Sequence, residues 1–572
     1  MADPQHGRTD SRRSTLKLAV LAFAILLLVT GVAAQTPSPV IFFTDLTSGP
    51  NSGGESVSGY AGAYVTIYGN NFGTSQGSST VTLNGASCLR VVSWGTTWLW
   101  YQKIVVQLGS ACPTATGNFV ITVAATASNS APFTVRSGNI YCVSTSGSNS
   151  NSGHFPNCWG DMGYATQNSP ANVAAGDIIY VLNGVSQAPG VAPGYSSTLT
   201  LGVPGTAASP IALVAYPGAT VTVGTATGDE RGIYACGGLS LCTNGAYWTV
   251  AGLTVRAVCE VFQINTTGLR LVANDISDPN CVSGESGSIT EGGSNVQIYG
   301  NSIHDTAANT VSSVTKLHHA TYIGDGDNAV YVAWNSYSNN HGNRSIQVYT
   351  STPGGSGDIY DVHVHDNQIS NSRGVGILFN QVNTSKGTLE AYNNLIYNAG
   401  LGPDFADGNS QWDCTLTSST ASAPIQIYNN TIYNCGYNGG GGPGGGCYST
   451  FSATNLENNI CYEISPFSYF DGSIASGVTC SNNLFYGAGS TPSGCSAAAV
   501  NANPQFAGLA NFDFHLVSSS PAIDKGASIA NLTWDLDGTL RPQGAAFDIG
   551  AYEFFSGTAP PSPPTNLTVT VQ

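Results

Sequence analysis

Short runs of apolar residues, separated by Gly, Ser and Asn, occur along most of this chain. Residues 177–182, 211–216 and 248–255 are clear examples. Runs of this length that are rich in β-branched and aromatic residues and are bounded by turn residues predict β-strands. Residues 138–555 show no sustained helical periodicity. The pattern therefore predicts an all-β protein.

An asparagine recurs through the middle of the chain, each time two positions before an apolar or aromatic residue. The eight asparagines are Asn274, Asn301, Asn335, Asn367, Asn394, Asn430, Asn459 and Asn483, with spacings of 27, 34, 32, 27, 36, 29 and 24 residues. This loose period predicts a solenoid of stacked coils whose loops vary in length. Asparagine tolerates left-handed backbone, and its amide can bond to the same amide one coil away. We therefore expect these residues to form a structural ladder.

The strand before each asparagine has a period of two, which separates inward from outward positions. The inward positions are apolar: Val296 and Ile298, Val330 and Val332, Val362 and Val364, Leu389 and Ala391, Ile425 and Ile427. The outward positions are Gln297 and Tyr299, Tyr331 and Ala333, His363 and His365, Glu390 and Tyr392, Gln426 and Tyr428. This outward strip can bind an extended glycan by ring stacking and hydrogen bonding. A solvated sheet face is the alternative interpretation.

The first 34 residues have the pattern of an export signal. Four basic residues precede the apolar run 18–29, and small residues at 32–34 offer a cleavage site, with an uncleaved anchor as the alternative. Removal of this segment leaves 12 Lys and Arg against 30 Asp and Glu, a net charge near −18. Such a charge disfavours nucleic acid and anionic lipid as partners. We expect an exported monomer with no membrane contact after cleavage.

Fourteen cysteines, all downstream of the signal, indicate an oxidising compartment. Residues that are close in the sequence are plausible partners: Cys88 with Cys112, Cys142 with Cys158, Cys236 with Cys242, Cys259 with Cys281, and Cys480 with Cys495. Cys414, Cys435, Cys447 and Cys461 are expected to pair among themselves.

Residues 35–136 predict a small β-sandwich of short strands between Gly and Ser turns. The stretches VTIYGNNFG at 65–73, VTLNG at 81–85 and SNSAPFTV at 128–135 resemble the IPT/TIG immunoglobulin-like domain. The resemblance implies a spacer or a binding module. Trp94, Trp98, Trp100 and Tyr101 either form a sugar-stacking surface or pack within the sandwich.

Residues 138–555 resemble the right-handed parallel β-helix family, which includes pectate-lyase-like secreted bacterial proteins. The coils at 361–370 and 424–433 carry this resemblance, and the segments 503–506, 520–526 and 548–553 are similar to the closing segment of many such proteins. A terminal cap protects the last strand edges of an open stack. Residues 556–572 read as a proline-rich linker and a strand similar to the start of a fibronectin type III domain.

Candidate catalytic residues cluster in the middle of the solenoid, where six of the nine histidines fall within 62 residues. In β-elimination of a uronide, a base removes the proton beside a carboxylate while a cation neutralises that carboxylate. The candidate bases are His319, His318, Lys316 and Arg344, and the candidate neutralising groups are Arg373, His341 and a calcium ion. His341 and Arg373 each lie six positions after a ladder asparagine, so they should stack in neighbouring coils, about 4.8 Å apart.

We expect the catalytic candidates to share one exterior groove with the substrate-binding candidates Tyr299, Tyr331, His363, His365, Glu390 and Tyr392. Asp325 and Asp327 have oxygen-rich spacing for calcium, although a plain turn explains them as well. No other cofactor is indicated.

The leading hypothesis is a secreted or cell-surface carbohydrate-binding or carbohydrate-degrading β-helix, namely a polysaccharide lyase acting on an acidic glycan. One alternative is a non-catalytic adhesion protein. Another is a glycoside hydrolase with paired carboxylates drawn from Asp305, Asp325, Asp327, Asp361, Asp366 and Glu390.

Overall fold

In a computed structural model, the described residues are 37–167, 172–190, 196–235, 244–282, 287–309, 317–402, 411–439 and 442–557. The predicted signal, the terminal strand, Lys316 and the Cys236–Cys242 pair lie outside these residues. Within them the chain is almost entirely β-structure. None of the helices in this described part is long and apolar enough to cross a membrane.

The N-terminal unit is a two-sheet β-sandwich, as predicted. One sheet contains Val40–Thr44, Tyr60–Asn70, Tyr101–Gly109 and Leu89–Trp98 in that spatial order. The other contains Ser48–Gly49, Ala131–Val135, Thr116–Val123 and Thr80–Leu83, with Thr126–Ala127 paired to Thr116–Val123. Ile67, Val106, Phe119 and Ile121 are fully buried in its core.

From Ile140 onward the chain forms a parallel β-helix with three long sheets. In each sheet, neighbouring strands come from successive coils and run parallel. Sheet 1 consists of Ile140–Val143, Ile178–Val181, Ile211–Ala215, Trp248–Ala251, Arg270–Val272, Ser294–Tyr299, Asn328–Ala333, Tyr360–His365, Leu389–Tyr392, Ile425–Tyr428, Thr454–Glu457 and Thr479–Ser481.

Sheet 2 follows sheet 1 in each of the ladder coils. It consists of Ser186–Gln187, Thr222–Val223, Thr254–Arg256, Asp275–Ser277, Ser302–His304, Ser336–Asn340, Gln368–Ser372, Leu395–Tyr397, Thr431–Tyr433, Ile460–Tyr462 and Leu484–Tyr486. Sheet 3 consists of Ser197–Leu201, Arg231–Ala235, Glu260–Ile264, Gly287–Glu291, His319–Ile323, Ile346–Tyr349, Ile377–Val382, Thr415–Ser419, Gly446–Thr450 and Ser468–Phe470.

Few other elements occur in the described part of the chain. They are the helix Met162–Thr166, the 3-10 turns Gly355–Gly357 and Leu509–Asn511, the hairpin strands Tyr437–Gly439 and Gly442–Gly444, and the hairpin strands Phe506–Gly508 and Asp513–Leu516. The apolar positions that the period of two assigned to the interior are buried, including Val330, Val332, Val362 and Val364 at 0% exposure. They line the continuous core between the three sheets.

The asparagine ladder forms as predicted, at the turn between sheets 1 and 2. From Asn301 to Asn483, the side-chain Oδ1 of each asparagine accepts the backbone N–H and the Nδ2–H of the asparagine one coil earlier, and Asn274 Oδ1 accepts the Leu253 N–H. For Asn367 and Asn394 these distances are 3.1 and 3.0 Å. All eight side chains are fully buried.

The predicted reason for asparagine is only half right, because the ladder residues themselves are not left-handed. The residue immediately before each one has positive φ, as at Gly300 (66°), Asp366 (52°), Asn393 (50°) and Asn429 (51°). Gly, Asn and Asp accept this conformation at low cost. The ladder asparagine therefore supplies the amide bonds, and its predecessor makes the turn.

Six disulfides lie in the described residues. The pairs 88–112, 142–158, 259–281 and 480–495 are as predicted. The remaining four cysteines pair as Cys414–Cys435 and Cys447–Cys461.

The sandwich docks on the outward face of sheet 1 through two of its four candidate aromatic residues, whereas Trp94 Nε1 donates to the Phe72 carbonyl within the sandwich at 2.9 Å. Trp98 Nε1 donates to the Gly300 carbonyl at 2.8 Å, and the Tyr101 hydroxyl donates to the Trp334 carbonyl at 3.1 Å. Trp100 Nε1 lies 3.4 Å from the Leu536 carbonyl of the C-terminal segment. These rings are therefore part of the interface between the sandwich and the rest of the chain.

The C-terminal segment covers part of the neighbouring face, which belongs to sheet 2. Phe514 packs against Tyr397 and Tyr433, with ring centroids 5.4 and 5.6 Å apart. Asn393 Nδ2 donates to the Trp534 carbonyl at 2.8 Å. The outward face of sheet 1 is less covered in the coils that follow Trp334.

Replacing one ladder asparagine should destabilise the whole stack. In Asn367→Ala, the Asn335 amide groups and the Asn394 oxygen lose buried partners, each at a cost of about 1–3 kcal/mol. We expect a loss of about 3 kcal/mol or more, measured as a lower unfolding temperature and denaturation midpoint. The exposed Asn501→Ala is the control, and an equal effect there would contradict the role of the ladder.

Candidate functional site

Two rows of outward side chains run along sheet 1, parallel to the stacking direction. The first row is Gln297, Tyr331, His363, Glu390, Gln426 and Asn455, in direct register. The second row is Tyr299, Ala333, His365, Tyr392, Tyr428 and Glu457. The register rule that predicted the strip extends to Asn455 and Glu457, four and two positions before Asn459. The sequence interpretation had stopped short of them.

The sandwich covers one end of the strip. Tyr299 packs against Phe43 of the sandwich and against Trp334, with ring centroids 5.7 and 5.3 Å apart. Of the six substrate-binding candidates, Tyr299 is therefore part of the domain interface. The partly exposed portion of the strip begins at Tyr331 and continues through His363, Glu390 and Gln426.

The aromatic rings of the strip stack on one another. Tyr331 lies on His363 at 4.5 Å with an interplanar angle of 8°. His365, Tyr392 and Tyr428 form a second stack, with separations of 4.7 and 4.9 Å. Coil spacing and ring-stacking distance coincide, so identical rotamers stack in consecutive coils. The rings therefore present edges and polar groups outward. This differs from the expectation that sugars stack on ring faces.

His363 lies between two carboxylates. Its Nδ1 is 2.6 Å from Glu390 Oε1, and its Nε2 is 3.1 Å from Asp361 Oδ1. Burial lowers the pKa of His363, but the hydrogen bonds and charges of Glu390 and Asp361 outweigh burial and raise it. This favours the imidazolium form near neutral pH.

Glu390 has two partners in different coils. Besides His363, its Oε2 accepts the Tyr428 hydroxyl at 2.8 Å. Burial raises the pKa of Glu390, whereas the bonds from His363 and Tyr428 lower it, and the net effect is a lowered pKa. His365 is nearly buried and bonds through Nδ1 to Asp366 at 2.7 Å. It contributes to packing under the strip.

The predicted catalytic group lies on another part of the helix, at the start of sheet 3 and the turn before it. His318 is fully buried, and its Nε2 is 2.7 Å from Asp278 Oδ2. His319 is 2% exposed. Burial, followed by the charges of Arg344 and His318, holds the pKa of His319 well below its usual value, so its imidazole is neutral.

His319 is oriented as a donor. Its Nδ1 accepts the backbone N–H of Arg344 at 3.3 Å, which places the remaining proton of the neutral ring on Nε2. A general base needs a free lone pair, and this tautomer has none to offer. The contact therefore favours donation by His319 over the predicted proton abstraction.

The two candidate neutralising residues, His341 and Arg373, lie in the turns that follow strands of sheet 2. His341 is exposed. The pKa of Asp305, which follows a strand of sheet 2, is lowered mainly by its hydrogen bond with His304 and to a smaller extent by the charge of His341. Arg373 is 7% exposed, and its Nη1 lies 3.5 Å from the His341 carbonyl oxygen. The two residues thus occupy neighbouring coils, as the shared offset predicted. Their contact runs from side chain to backbone.

The structure does not bring the two predicted sets into one groove. His363, Glu390 and Tyr392 belong to strands of sheet 1, whereas His319 begins a strand of sheet 3. The catalytic and substrate-binding sets therefore occupy different faces of the helix. Their roles stay predictions.

The two predicted calcium residues have protein partners, and calcium binding there stays a prediction. Asp325 accepts bonds from Ser351 and Thr352, as a turn residue does. Asp327 is buried beside Glu291, and burial raises its pKa to about 6. Among the described residues, no group of three or more His, Cys, Asp or Glu side chains is arranged to hold a metal ion.

The charge state of the strip can be measured directly. Because the pKa of His363 is raised, the stabilising interaction of its imidazolium with Glu390 and Asp361 is complete below about pH 6.5. This interaction weakens as the pH rises through the raised pKa. The Glu390 contribution is complete above about pH 4.3 and is lost as the pH falls through its lowered pKa. We expect an NMR titration midpoint for His363 above about 6.5. Glu390→Gln should lower this midpoint, and Glu457→Gln should leave it unchanged.

Comparisons with known proteins identify one domain and several similar folds. Residues 55–137 match the IPT/TIG domain model. Solved structures similar to the chain include a rhamnogalacturonan lyase (15% identity, 64% of this chain and 85% of that chain, TM-score 0.38). XylC in complex with xylose is also similar (11%, 72% and 98%, 0.41).

A third similar structure is the catalytic unit of a thermostable alpha-1,3-glucanase from Streptomyces thermodiastaticus (13%, 82% and 96%, 0.29). A comparison with curated protein sequences finds no match. These identities and TM-scores establish no activity for this chain. The N-terminal sandwich is an IPT/TIG domain, and the rest of the described chain is a parallel β-helix with its C-terminal segment.

Proposed function

We propose that this protein is a secreted carbohydrate-binding β-helix, and that a glycan lies along the partly exposed portion of sheet 1. The observation that carries this proposal is the row Tyr331, His363, Glu390, Gln426 and Asn455, which offers one polar side chain per coil. Six disulfides among the described residues support an oxidising, extracellular setting.

The spacing of this row suits a polymer. Successive coils repeat at about 4.8 Å, similar to the length of one sugar unit in an extended chain. Consecutive units would therefore meet consecutive side chains. Hydroxyl groups of the glycan can donate to Glu390 and Gln426 and accept from the amides of Gln426 and Asn455. Recognition then depends on hydrogen bonds to side-chain edges, because the aromatic faces are occupied by neighbouring rings.

The charges of the strip favour a neutral glycan. Asp361, Glu390 and Glu457 are carboxyl groups on this face, and His363 is flanked by two of them. A uronate polymer would place its carboxylates beside these groups, and like charges at this distance repel. Among polysaccharides, a neutral one is therefore the better partner for this surface.

The ionisation states on the sheet 1 strip favour binding over cleavage. Acid-assisted glycoside hydrolysis needs one carboxyl that stays protonated, whereas the pKa of Glu390 is lowered by His363 and Tyr428 against the effect of burial. Burial does raise the pKa of Asp327, but this carboxyl is only 1% exposed. Elimination from an acidic glycan needs a base, and the His319 lone pair already accepts the Arg344 N–H. The hydrolase and lyase hypotheses thus have weaker support than the non-catalytic one.

Removing polar groups from the row should weaken polysaccharide binding. The double variant Gln426→Ala and Asn455→Ala loses two hydrogen-bonding amides, each worth about 1 kcal/mol, so we expect about a tenfold to thirtyfold loss of affinity. Affinity electrophoresis against a panel of neutral polysaccharides measures this loss. Gln543→Ala, an exposed amide in the C-terminal segment, is the matched control. Equal retention of the double variant and the native protein on every retained polymer would refute the proposal.

Incubation with polymers should leave them intact. We expect no new ultraviolet absorbance from unsaturated uronides with pectin, alginate or glycosaminoglycans, and no new reducing ends from neutral glycans. Absorbance that disappears in His319→Ala would instead establish the lyase. Reducing ends that disappear in Glu390→Gln would establish the hydrolase.

A further inference from the structure

Arg344 is a largely buried guanidinium whose side-chain acceptors are neutral. Its Nη1 donates to Gln347 Oε1 at 2.5 Å, and its Nη2 donates to Gln411 Oε1 at 2.8 Å. Nε is buried and has no hydrogen-bond acceptor. No carboxylate of the described residues lies within ion-pair distance of this side chain.

Other arginines of the chain are compensated differently. Arg256 and Arg541 pair with Asp275 and Glu553. Arg270, at the domain interface, donates to Gln297 and to two backbone carbonyls. A buried charge without a counter-ion is costly, and the cost falls when an anion binds. Among the described residues no carboxylate compensates Arg344, and each terminal nitrogen of its guanidinium keeps one unused N–H.

The unused donors match a planar oxyanion. A guanidinium has five N–H groups, and the two glutamine oxygens take two of those on Arg344. The Nε–H is buried and out of reach of a ligand, so the N–H groups left for one are the second N–H on each terminal nitrogen. Carboxylates accept such pairs of parallel N–H groups in bidentate fashion, with about twice the strength of neutral hydrogen bonds.

The surroundings add a second donor and an amphipathic rim. His319 is adjacent through its bond to the Arg344 backbone, and its neutral ring carries the Nε2–H. Its ring stacks on Tyr322 at 5.8 Å. Arg344 and its neighbours Tyr322, Tyr349 and Gln411 are each partly exposed. Burial lowers the pKa of Arg344 to about 10, which still leaves it charged at neutral pH.

We infer that Arg344 and His319 form a site for the carboxylate of an acidic sugar, on the face of the helix formed by sheet 3. The charged fork of Arg344 holds the carboxylate, and the Tyr322 and Tyr349 rim contacts the sugar ring. This site is separate from the strip on sheet 1 and does not depend on glycan binding there. It binds its ligand without cleaving it, because the His319 lone pair is engaged.

Calorimetry with the full mature protein tests the site. The probes are galacturonic acid, its methyl ester and acetate. We expect galacturonic acid to bind, and the methyl ester and acetate each to bind at least about tenfold more weakly, since a charge-assisted pair contributes about 1.5–3 kcal/mol. Equal binding of the ester would overturn the anion site. Equal binding of acetate would overturn the sugar assignment.

Variants separate this site from the strip. Arg344→Met should reduce galacturonate affinity at least about tenfold, whereas Arg256→Met, at a paired arginine on sheet 2, should not. If Arg344→Met fails to fold, Gln411→Glu places an internal carboxylate on the guanidinium and should block binding without removing the arginine. Unchanged binding in either Arg344→Met or Gln411→Glu refutes the site. The double variant at Gln426 and Asn455 should retain galacturonate binding, so failure of the two proposals can be told apart.

Discussion

The amide ladder between sheets 1 and 2 fixes the register of the coils from Asn274 to Asn483. Each ladder asparagine donates and accepts across a coil boundary, so a coil displaced by one residue would leave several buried amide groups without partners. The backbone bonds of parallel strands repeat at every second residue, so without the ladder a displacement of two residues would keep both these bonds and the inward side chains. The ladder removes that freedom. With the register fixed, side chains at equivalent positions lie directly above one another.

This register determines the chemistry of the surface as well as the shape. Tyr331 stacks on His363, and His365 stacks on Tyr392, because the coil repeat matches the distance between stacked rings. The same repeat aligns His363 with Glu390, which converts an ordinary surface histidine into a bridge between two carboxylates. A row of polar groups with a fixed spacing results, and that is the feature on which the proposed glycan binding depends.

Docking decides which parts of this regular surface remain available. The IPT/TIG domain covers Tyr299 and the earlier coils of sheet 1, and the C-terminal segment covers the tyrosines of sheet 2. The two units also contact each other through Trp100 and Leu536. The later coils of sheet 1 and the Arg344 region of sheet 3 stay accessible. They differ in charge, with carboxylates on the first and, on the second, a guanidinium that has no carboxylate partner among the described residues, so they suit different ligands.

The sequence alone determined the features that repeat locally. The period of two separated Val362 and Val364 from His363 and His365, the asparagine spacing predicted the stack, and nearness in sequence predicted four disulfides of the described part. The residue before each ladder asparagine is left-handed, whereas the sequence interpretation assigned this conformation to the asparagine itself.

Relations between faces were decided only by the tertiary structure. His319 and His363 lie close in the sequence, yet each coil turns through three sheets and places them on different faces. Burial of His318, the docking of Trp98 and the contact of Arg344 with Gln411 depend on contacts between distant segments, which no local pattern encodes.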